Sequence, residues 1–342
     1  MKALVLVGAG ELVVKKLPKP LIKADEVLIK VSACGVCGSD IPRVKEAAVK
    51  KLPLVLGHEF AGTIVEVGEN ISQMEIGKRV ALAPLLPCNH CRQCMGGYPA
   101  MCPNYSFIGS RVNGAMAEYI ALPHQNIVEI GEKTTFEQAA FIEPLTVAIH
   151  AVERINLQIG KKALVYGCGT IGLLIIQVLK AKGITDITAV DISNSKLAFA
   201  EQSGATRIIN NSQDDIGQQL GSVEMDYIFE STGASVVQAR VFDFSAPHGS
   251  VVFVGTVHQP ITYSPAAFET ILRKELIVTG SWMSYSGPFP GLEWSGASAL
   301  LAGGQIKVDS YITHRPTLED GLETIEKLWL GDEDILKIMF KF

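Results

Sequence analysis

Long hydrophobic runs are missing from this 342-residue chain. The longest, Ile171 to Leu179, is about half of the ~20 residues that a membrane-spanning helix needs, so no transmembrane segment is predicted. A surplus of positive charge is missing too. Thirty Lys and Arg stand against 35 Asp and Glu, a formal charge of −5, which offers no general basic field for nucleic acid. Charged residues are only 19% against 48% hydrophobic. That balance excludes a disordered chain and leaves apolar side chains for two cores, as expected at roughly 100–200 residues per domain. Met1-Lys2 followed by Ala3 to Val7 resembles the start of a secretion leader, but Gly8, Gly10 and Glu11 interrupt it and no small-residue cleavage site follows. A first strand is predicted instead. The seven cysteines are an odd number, and four of them fall within 15 residues. A disulfide framework is therefore set aside in favour of metal binding in a reducing cytosol.

Residues 1 to about 145 read as strands and turns. Val27–Val31, Gly62–Gly68 (bounded by its glycines) and Arg79–Ala83 are β-type runs. From about 160 the pattern alternates. Ala163–Tyr166 is an apolar strand, then a glycine turn, then a helix over 170–182; Ile187–Val190 is a strand, followed by a helix over Ser195–Ser203 that stops at Gly204. Tyr227–Glu230 and Ser250–Val254 continue the series. Strands separated by helices of this length imply βαβ units and a parallel sheet. The alternation fades after about 283, where helices near 293–303 and 318–330 are expected to return to the first domain. Glu275–Gly280 is a candidate edge strand for pairing between subunits.

Gly167-Cys168-Gly169-Thr170-Ile171-Gly172 is a G-x-G-x-x-G lying between a strand and a helix, with Asp191 19 residues beyond Gly172. Such glycines permit a tight turn and close backbone approach, and the helix start faces a pyrophosphate with free N–H groups and a positive dipole end. An acid at the end of the next strand accepts from both ribose hydroxyls and repels a 2′-phosphate, which favours NAD over NADP. A decoy shows how little the glycines mean alone. Gly8-Ala9-Gly10 also follows an apolar strand, but its sixth position is Val13 and no helix pattern follows, so it reads as a hairpin turn.

Cys88-x-x-Cys91-x-x-Cys94-x7-Cys102 is the most specific signal. Four thiolates close a tetrahedral shell around Zn²⁺ and leave no open position, which makes this a structural zinc site. An iron–sulfur cluster is the rival, because Cys102-Pro103 echoes the ferredoxin run, but the gap before the last Cys is seven residues where ferredoxins have three. His90, inside the loop, is expected to be exposed. Cys37, His58 and Glu143 are candidates that spacing cannot assemble. Taken alone they read as a turn residue, a satisfied polar residue and a helix-start acid before Pro144.

Their neighbours sharpen the reading. Gly57-His58-Glu59 is followed by Gly62 and Gly68, and Cys37 sits in Cys34-Gly-Val-Cys37-Gly-Ser39-Asp40. With the four-Cys lobe and the dinucleotide fingerprint, the chain resembles, end to end, the zinc-containing medium-chain dehydrogenases of alcohols and polyols. The resemblance implies an α/β protein: a GroES-like, β-rich catalytic domain (1–145 and 284–342) with two zinc sites, and a Rossmann domain with a doubly wound parallel sheet (146–283) that binds NAD. It places a catalytic zinc on Cys37, His58 and Glu143, makes Glu59 an acid behind the metal, and gives Ser39 the role of proton-relay hydroxyl. A Glu at the third ligand position, where alcohol dehydrogenases usually carry Cys, is similar to the polyol branch. Loops at 38–43, 84–88, 107–111 and 280–285, with 254–259 and Trp294, resemble members acting on hexitol phosphates. Arg43 and Arg111 are then candidate phosphate ligands, at about 1.5–3 kcal/mol per charge-assisted bond, with Lys45, Lys50 and Lys51 adding local positive field. Trp282 and Tyr285 either line the polyol pocket or pack at a domain junction. His150 reads as a core histidine, and His258 and Arg273-Lys274-Glu275 carry no assignment. A cytoplasmic homodimer or tetramer is expected, with neither nucleic acid nor membrane as a partner. Dehydrogenases of free polyols or pentitol phosphates are the rival activities, and a zinc-stabilised NAD-binding protein without catalysis is the rival class.

Overall fold

The computed structural model describes residues 1–342. The chain divides into two compact units, Met1–Thr146 with Tyr285–Phe342, and Val147–Ser284. No helix is long and apolar enough to cross a membrane.

The first unit is built on antiparallel β-structure. Lys2–Gly8 and Glu11–Lys16 form a hairpin around the decoy glycines. The main sheet runs Ile127–Glu129, Arg79–Leu82, Glu59–Val67, Glu26–Gly35, Lys337–Lys341, Ile312–His314, and Tyr119–Pro123 pairs with the first half of Glu26–Gly35. Its apolar faces enclose a core that includes Leu4, Leu6, Ile29, Phe60, Ile64 and Phe340, each no more than 1% exposed. The C-terminal helices Leu292–Ala302 and Gly321–Trp329 belong to this unit.

The second unit holds a six-stranded, all-parallel sheet. In space its order is Arg207–Asn210, Asp186–Asp191, Lys162–Tyr166, Met225–Glu230, Ser245–Phe253, Ile277–Gly280. Numbered along the unit this is 3-2-1-4-5-6, the doubly wound Rossmann order, in which the order of the strands, all still parallel, reverses between Lys162–Tyr166 and Met225–Glu230. The long apolar run becomes the helix Thr170–Ala181, in which Leu173, Leu174, Ile175, Ile176, Val178 and Leu179 are buried. Burial stabilises each by about 1.5–3 kcal/mol over exposure, so the run is a core helix. Ser193 accepts from the Lys196 N–H at the start of the helix Asn194–Ser203, and Gly204 closes that helix at φ 115°. The strand Arg207–Asn210, with two exposed residues in four, has no clear apolar pattern and was not expected. Ile277–Gly280 is the outer strand, with Ile277 and Val278 exposed.

Candidate functional site

Pairing around Gly35 builds the first cluster. Gly35 stands opposite Glu59 on one neighbouring strand and Met339 on the other, so the chain just beyond it, at Cys37, meets the Gly57-His58-Glu59 turn. Gly57 has φ +95°, and a Cβ there would come within 2.6 Å of the Cys34 sulfur; only glycine suits this entry to the strand. The result brings one donor atom each of Cys37, His58 and Glu59 within 4.8 Å of one another. His58 and Glu59 are buried and Cys37 half-buried.

Burial and the neighbouring carboxylates oppose ionisation of Cys37 and Glu143. Burial pushes the Cys37 thiol up to about 11, and the Glu59 and Asp40 carboxylates add to it. Burial also lifts Glu143 to about 8, opposed by His58 and reinforced by Glu59 and Cys37. The His58 Nδ1 is buried without a hydrogen-bond partner; it lies 3.6 Å from Asp40 Oδ1, too far for a bond. Thiol, imidazole and carboxylate donors with an orphaned imidazole nitrogen are a donor set that fits Zn²⁺. Glu143, in the first turn of the helix Ile142–Glu153, shares the electrostatic field of the cluster, but the compact group of donor atoms contains Glu59 in its place.

Two supporting residues were missed by the sequence reading. Asp40 is fully buried; one oxygen accepts from the Cys37 N–H at 3.1 Å and the other from Arg43 Nη1 at 2.7 Å. Lys337 is 3% exposed, and its ammonium donates to both Glu59 oxygens, at 2.9 and 2.6 Å, and to the Val36 carbonyl at 3.1 Å. Burial alone would lower its pKa; Glu59, Cys37 and Glu143 outweigh that and raise it. A lone lysine within Ile335–Phe340, otherwise apolar, was the available signal.

The sulfurs of Cys88, Cys91, Cys94 and Cys102 also lie within 4.8 Å of one another. Cys91 and Cys94 are 3.5 Å apart, near the S···S edge of about 3.8 Å implied by a tetrahedron of ~2.3 Å Zn–S bonds. Cys91 caps the short helix Arg92–Met95 by accepting from the Cys94 N–H. The His90 and Cys91 backbone N–H groups help lower Cys88 to about 6 against the cost of burial, with the His90 bond largest, whereas burial drives Cys94 up to about 12. Four thiols gathered in one shell suit a thiolate-binding metal. His90 is exposed, as expected, with Nδ1 2.6 Å from the Cys88 carbonyl oxygen.

In the second unit a cavity of about 470 Å³ opens at the reversal point of the sheet, lined by Gly167, Gly169, Asp191, Lys196, Ser231 and Thr232 among others. Gly167 has φ +90°, and a Cβ on Gly172 would strike the Gly167 carbonyl oxygen at 1.8 Å, while around a Cβ on Gly169 there is nothing within 4 Å. The third glycine thus packs the helix onto the turn, and the second leaves backbone bare toward the cavity. Gly169, which lines that opening, caps the helix that begins at Thr170, and a helix start beside a cavity is a fit for a pyrophosphate. Asp191 accepts from the N–H groups of Cys168 (2.7 Å), Ile192 (2.8 Å) and Ser193 (2.9 Å), which pins its carboxylate at the rim.

The remaining predicted residues are distributed differently. Ser39 is exposed and accepts from Arg43 Nη1 at 3.1 Å. Arg111 donates to the Tyr105 carbonyl and lies 3.7 Å over the Tyr105 ring. Tyr285 is buried, stacked between Phe289 and Trp294, with its hydroxyl accepting from the Leu85 N–H at 3.2 Å. Trp282, in the second unit, is 51% exposed.

The fold and the two cysteine-bearing centres define a zinc-binding dehydrogenase, and the comparisons agree. Residues 23–132 match the alcohol dehydrogenase GroES-like domain and residues 170–301 the zinc-binding dehydrogenase family; the chain belongs to this family. Among its relatives, the galactitol 1-phosphate 5-dehydrogenase of Escherichia coli (strain K12) is 39% identical over 308 residues, 89% of each chain. A sorbitol dehydrogenase of Bacillus subtilis is 32% identical over 350 residues, covering 99% of this chain and 96% of that protein. The crystal structure of galactitol-1-phosphate dehydrogenase from Escherichia coli superposes with a TM-score of 0.94 at 37% identity, covering 100% of both chains.

Proposed function

We propose that this protein is a zinc-dependent NAD oxidoreductase that oxidises a secondary hydroxyl of a polyol phosphate, galactitol 1-phosphate to tagatose 6-phosphate. The observation that carries the reading is the convergence of Cys37, His58 and Glu59 in a chain 39% identical to an enzyme named for that substrate. Zinc at this centre supplies Lewis acidity that lowers the pKa of the substrate hydroxyl, and NAD supplies the hydride acceptor. Cys37 and His58 hold the metal, with Glu143 or Glu59 as the carboxylate. Asp40 stands behind His58, and Lys337 restrains Glu59. Ser39, exposed at the mouth of the cluster, takes the hydroxyl proton toward solvent. Gly167, Gly169, Thr170, Ile171 and Gly172 bind the pyrophosphate, and Asp191 accepts from the ribose hydroxyls and repels a 2′-phosphate. The four-cysteine zinc is structural.

Phosphate recognition falls to Arg43 and Arg111. Each spends one nitrogen on protein acceptors, which leaves the rest of each guanidinium for a bidentate phosphate contact. Tyr285 acts by packing against Phe289 and Trp294. The protein works in the cytoplasm as a homodimer paired through the outer strand Ile277–Gly280, whose exposed Ile277 and Val278 are unsuited to permanent contact with water.

A second reading, a free-polyol dehydrogenase, is favoured by the same arginines, because both are already anchored within the fold. NADH formation with galactitol 1-phosphate, galactitol, sorbitol and arabitol 1-phosphate separates the two. A strong preference for the hexitol phosphate is expected, since losing the phosphate strands its cations. Equal or better turnover of the free polyols would overturn the phosphate assignment.

A further inference from the structure

Glu230 ends the strand Met225–Glu230 beside the dinucleotide cavity and is fully buried. Its backbone carbonyl already serves the fold, accepting from the N–H groups of Val254 (2.8 Å) and Gly255 (2.9 Å). Its carboxylate serves something else. One oxygen accepts from the N–H groups of Thr232 at 2.7 Å and Gly233 at 3.0 Å and from the Thr232 hydroxyl. The other accepts from Gln238 Nε2 at 2.6 Å. The Thr232 hydroxyl in turn accepts from the Ala234 N–H at 3.0 Å. Every group facing the carboxylate is a donor, and all of them belong to the segment 232–238.

That segment is one wall of the cavity, contributing Thr232, Ala234, Val236 and Val237 next to Ser231. It has no room to relax elsewhere, because a Cβ on Gly233 would lie 2.2 Å from the Thr256 carbonyl oxygen. Gln238 is also fully buried, and its Oε1 has no partner. Its amide is turned to give nitrogen to Glu230 at 2.6 Å and, at 3.3 Å, to the Gly255 carbonyl, even though this orphans an oxygen, which costs about 1–3 kcal/mol by itself. The bond to Glu230 is the shorter of the two and ties the end of segment 232–238 to the same carboxylate that holds its start.

We propose that Glu230 is a positioning residue for the dinucleotide, its carboxylate holding segment 232–238 in the shape that walls the cofactor cavity. The inference rests on the reading of that cavity as an NAD site. Removing the carboxylate frees two N–H groups and a hydroxyl at once, so the wall loses its single shape while the strand keeps its backbone bonds.

The test is titration of the full-length, zinc-replete protein with NADH, followed by fluorescence, beside steady-state kinetics. Glu230→Ala should weaken NADH binding about tenfold or more and raise the KM for NAD in parallel, with kcat at saturating NAD changed far less. Glu230→Gln should recover much of the affinity, because its amide oxygen can still accept from the Thr232 and Gly233 N–H groups. If Glu230→Ala does not fold, Gln238→Met removes one donor and should weaken NADH binding about threefold at unchanged zinc content. Unaltered NADH affinity in the variant that folds, or kcat falling as far as affinity, would overturn the proposal, as would Glu230→Gln being no better than Glu230→Ala. Failure of the unmodified protein to bind NADH would overturn the NAD reading itself, an outcome distinct from all of these.

Discussion

The four-cysteine lobe and the Cys37–His58–Glu59 cluster both gather donor atoms within 4.8 Å, over very different lengths of chain. The lobe closes between Cys88 and Cys102, with the Cys94 N–H donating to Cys91 and the Cys88 N–H to Cys102. It is assembled by a turn and two short helices, Arg92–Met95 and the single turn Pro99–Met101 that ends at Cys102. The other cluster needs three strands in register, and the lysine that neutralises Glu59 lies 278 residues away in sequence. The lobe should therefore fail by itself, whereas damage to the cluster should be felt through the whole first unit.

The largest effect that would sharpen this contrast is chemical. His58→Ala should cost activity well beyond the 10–100-fold typical of changes behind a metal ligand, and metal analysis should find the zinc of this centre lost and that of the lobe retained. Loss of both zincs would break the comparison, because the two centres would then not be independent. Next comes stability. Lys337→Met leaves Glu59 buried without its cation, which should cost about 3–5 kcal/mol, read as a fall in the urea midpoint of the first unit. A loss below about 1 kcal/mol, the scale of an exposed pair, would mean that Glu59 finds another partner. The smallest effect on turnover is expected in the lobe. Cys91→Ser should release its zinc and speed proteolysis between 88 and 102, while turnover per molecule stays within about threefold because distant sites act independently. A collapse of turnover equal to that of His58→Ala would show that the lobe supports the reactive centre directly.

The same contrast governs what could be read in advance. The first two strands and helices of the second unit and the strand Met225–Glu230 were legible to within a few residues, because strand, glycine turn and helix follow one another locally; the helix expected over 170–182 spans Thr170–Ala181, whereas the short helices Ile216–Leu220, Ser235–Gln238 and Pro265–Arg273 were not read. The unpatterned strand Arg207–Asn210 was not, since half of it is exposed and alternation carries no signal there. At the site, Cys37 and His58 were legible only through their glycine-rich surroundings. Lys337 and Asp40 were not, because a charged residue says nothing about burial until its partner is in place. Glu230 looked like the end of a strand and nothing more.

By itself, the amino-acid sequence determined what depends on neighbours along the chain. The four-cysteine spacing, the glycine turn with Asp191, and the alternation that makes a parallel sheet are all set within a few dozen residues, where backbone geometry and reach leave few alternatives. Tertiary structure alone brought the Glu59 carboxylate to Cys37 and His58, decided how Arg43 and Arg111 are anchored, and enclosed Tyr285 between Phe289 and Trp294. Those outcomes turn on burial and on the charges that burial brings together. Both exist only once residues far apart in sequence share one core.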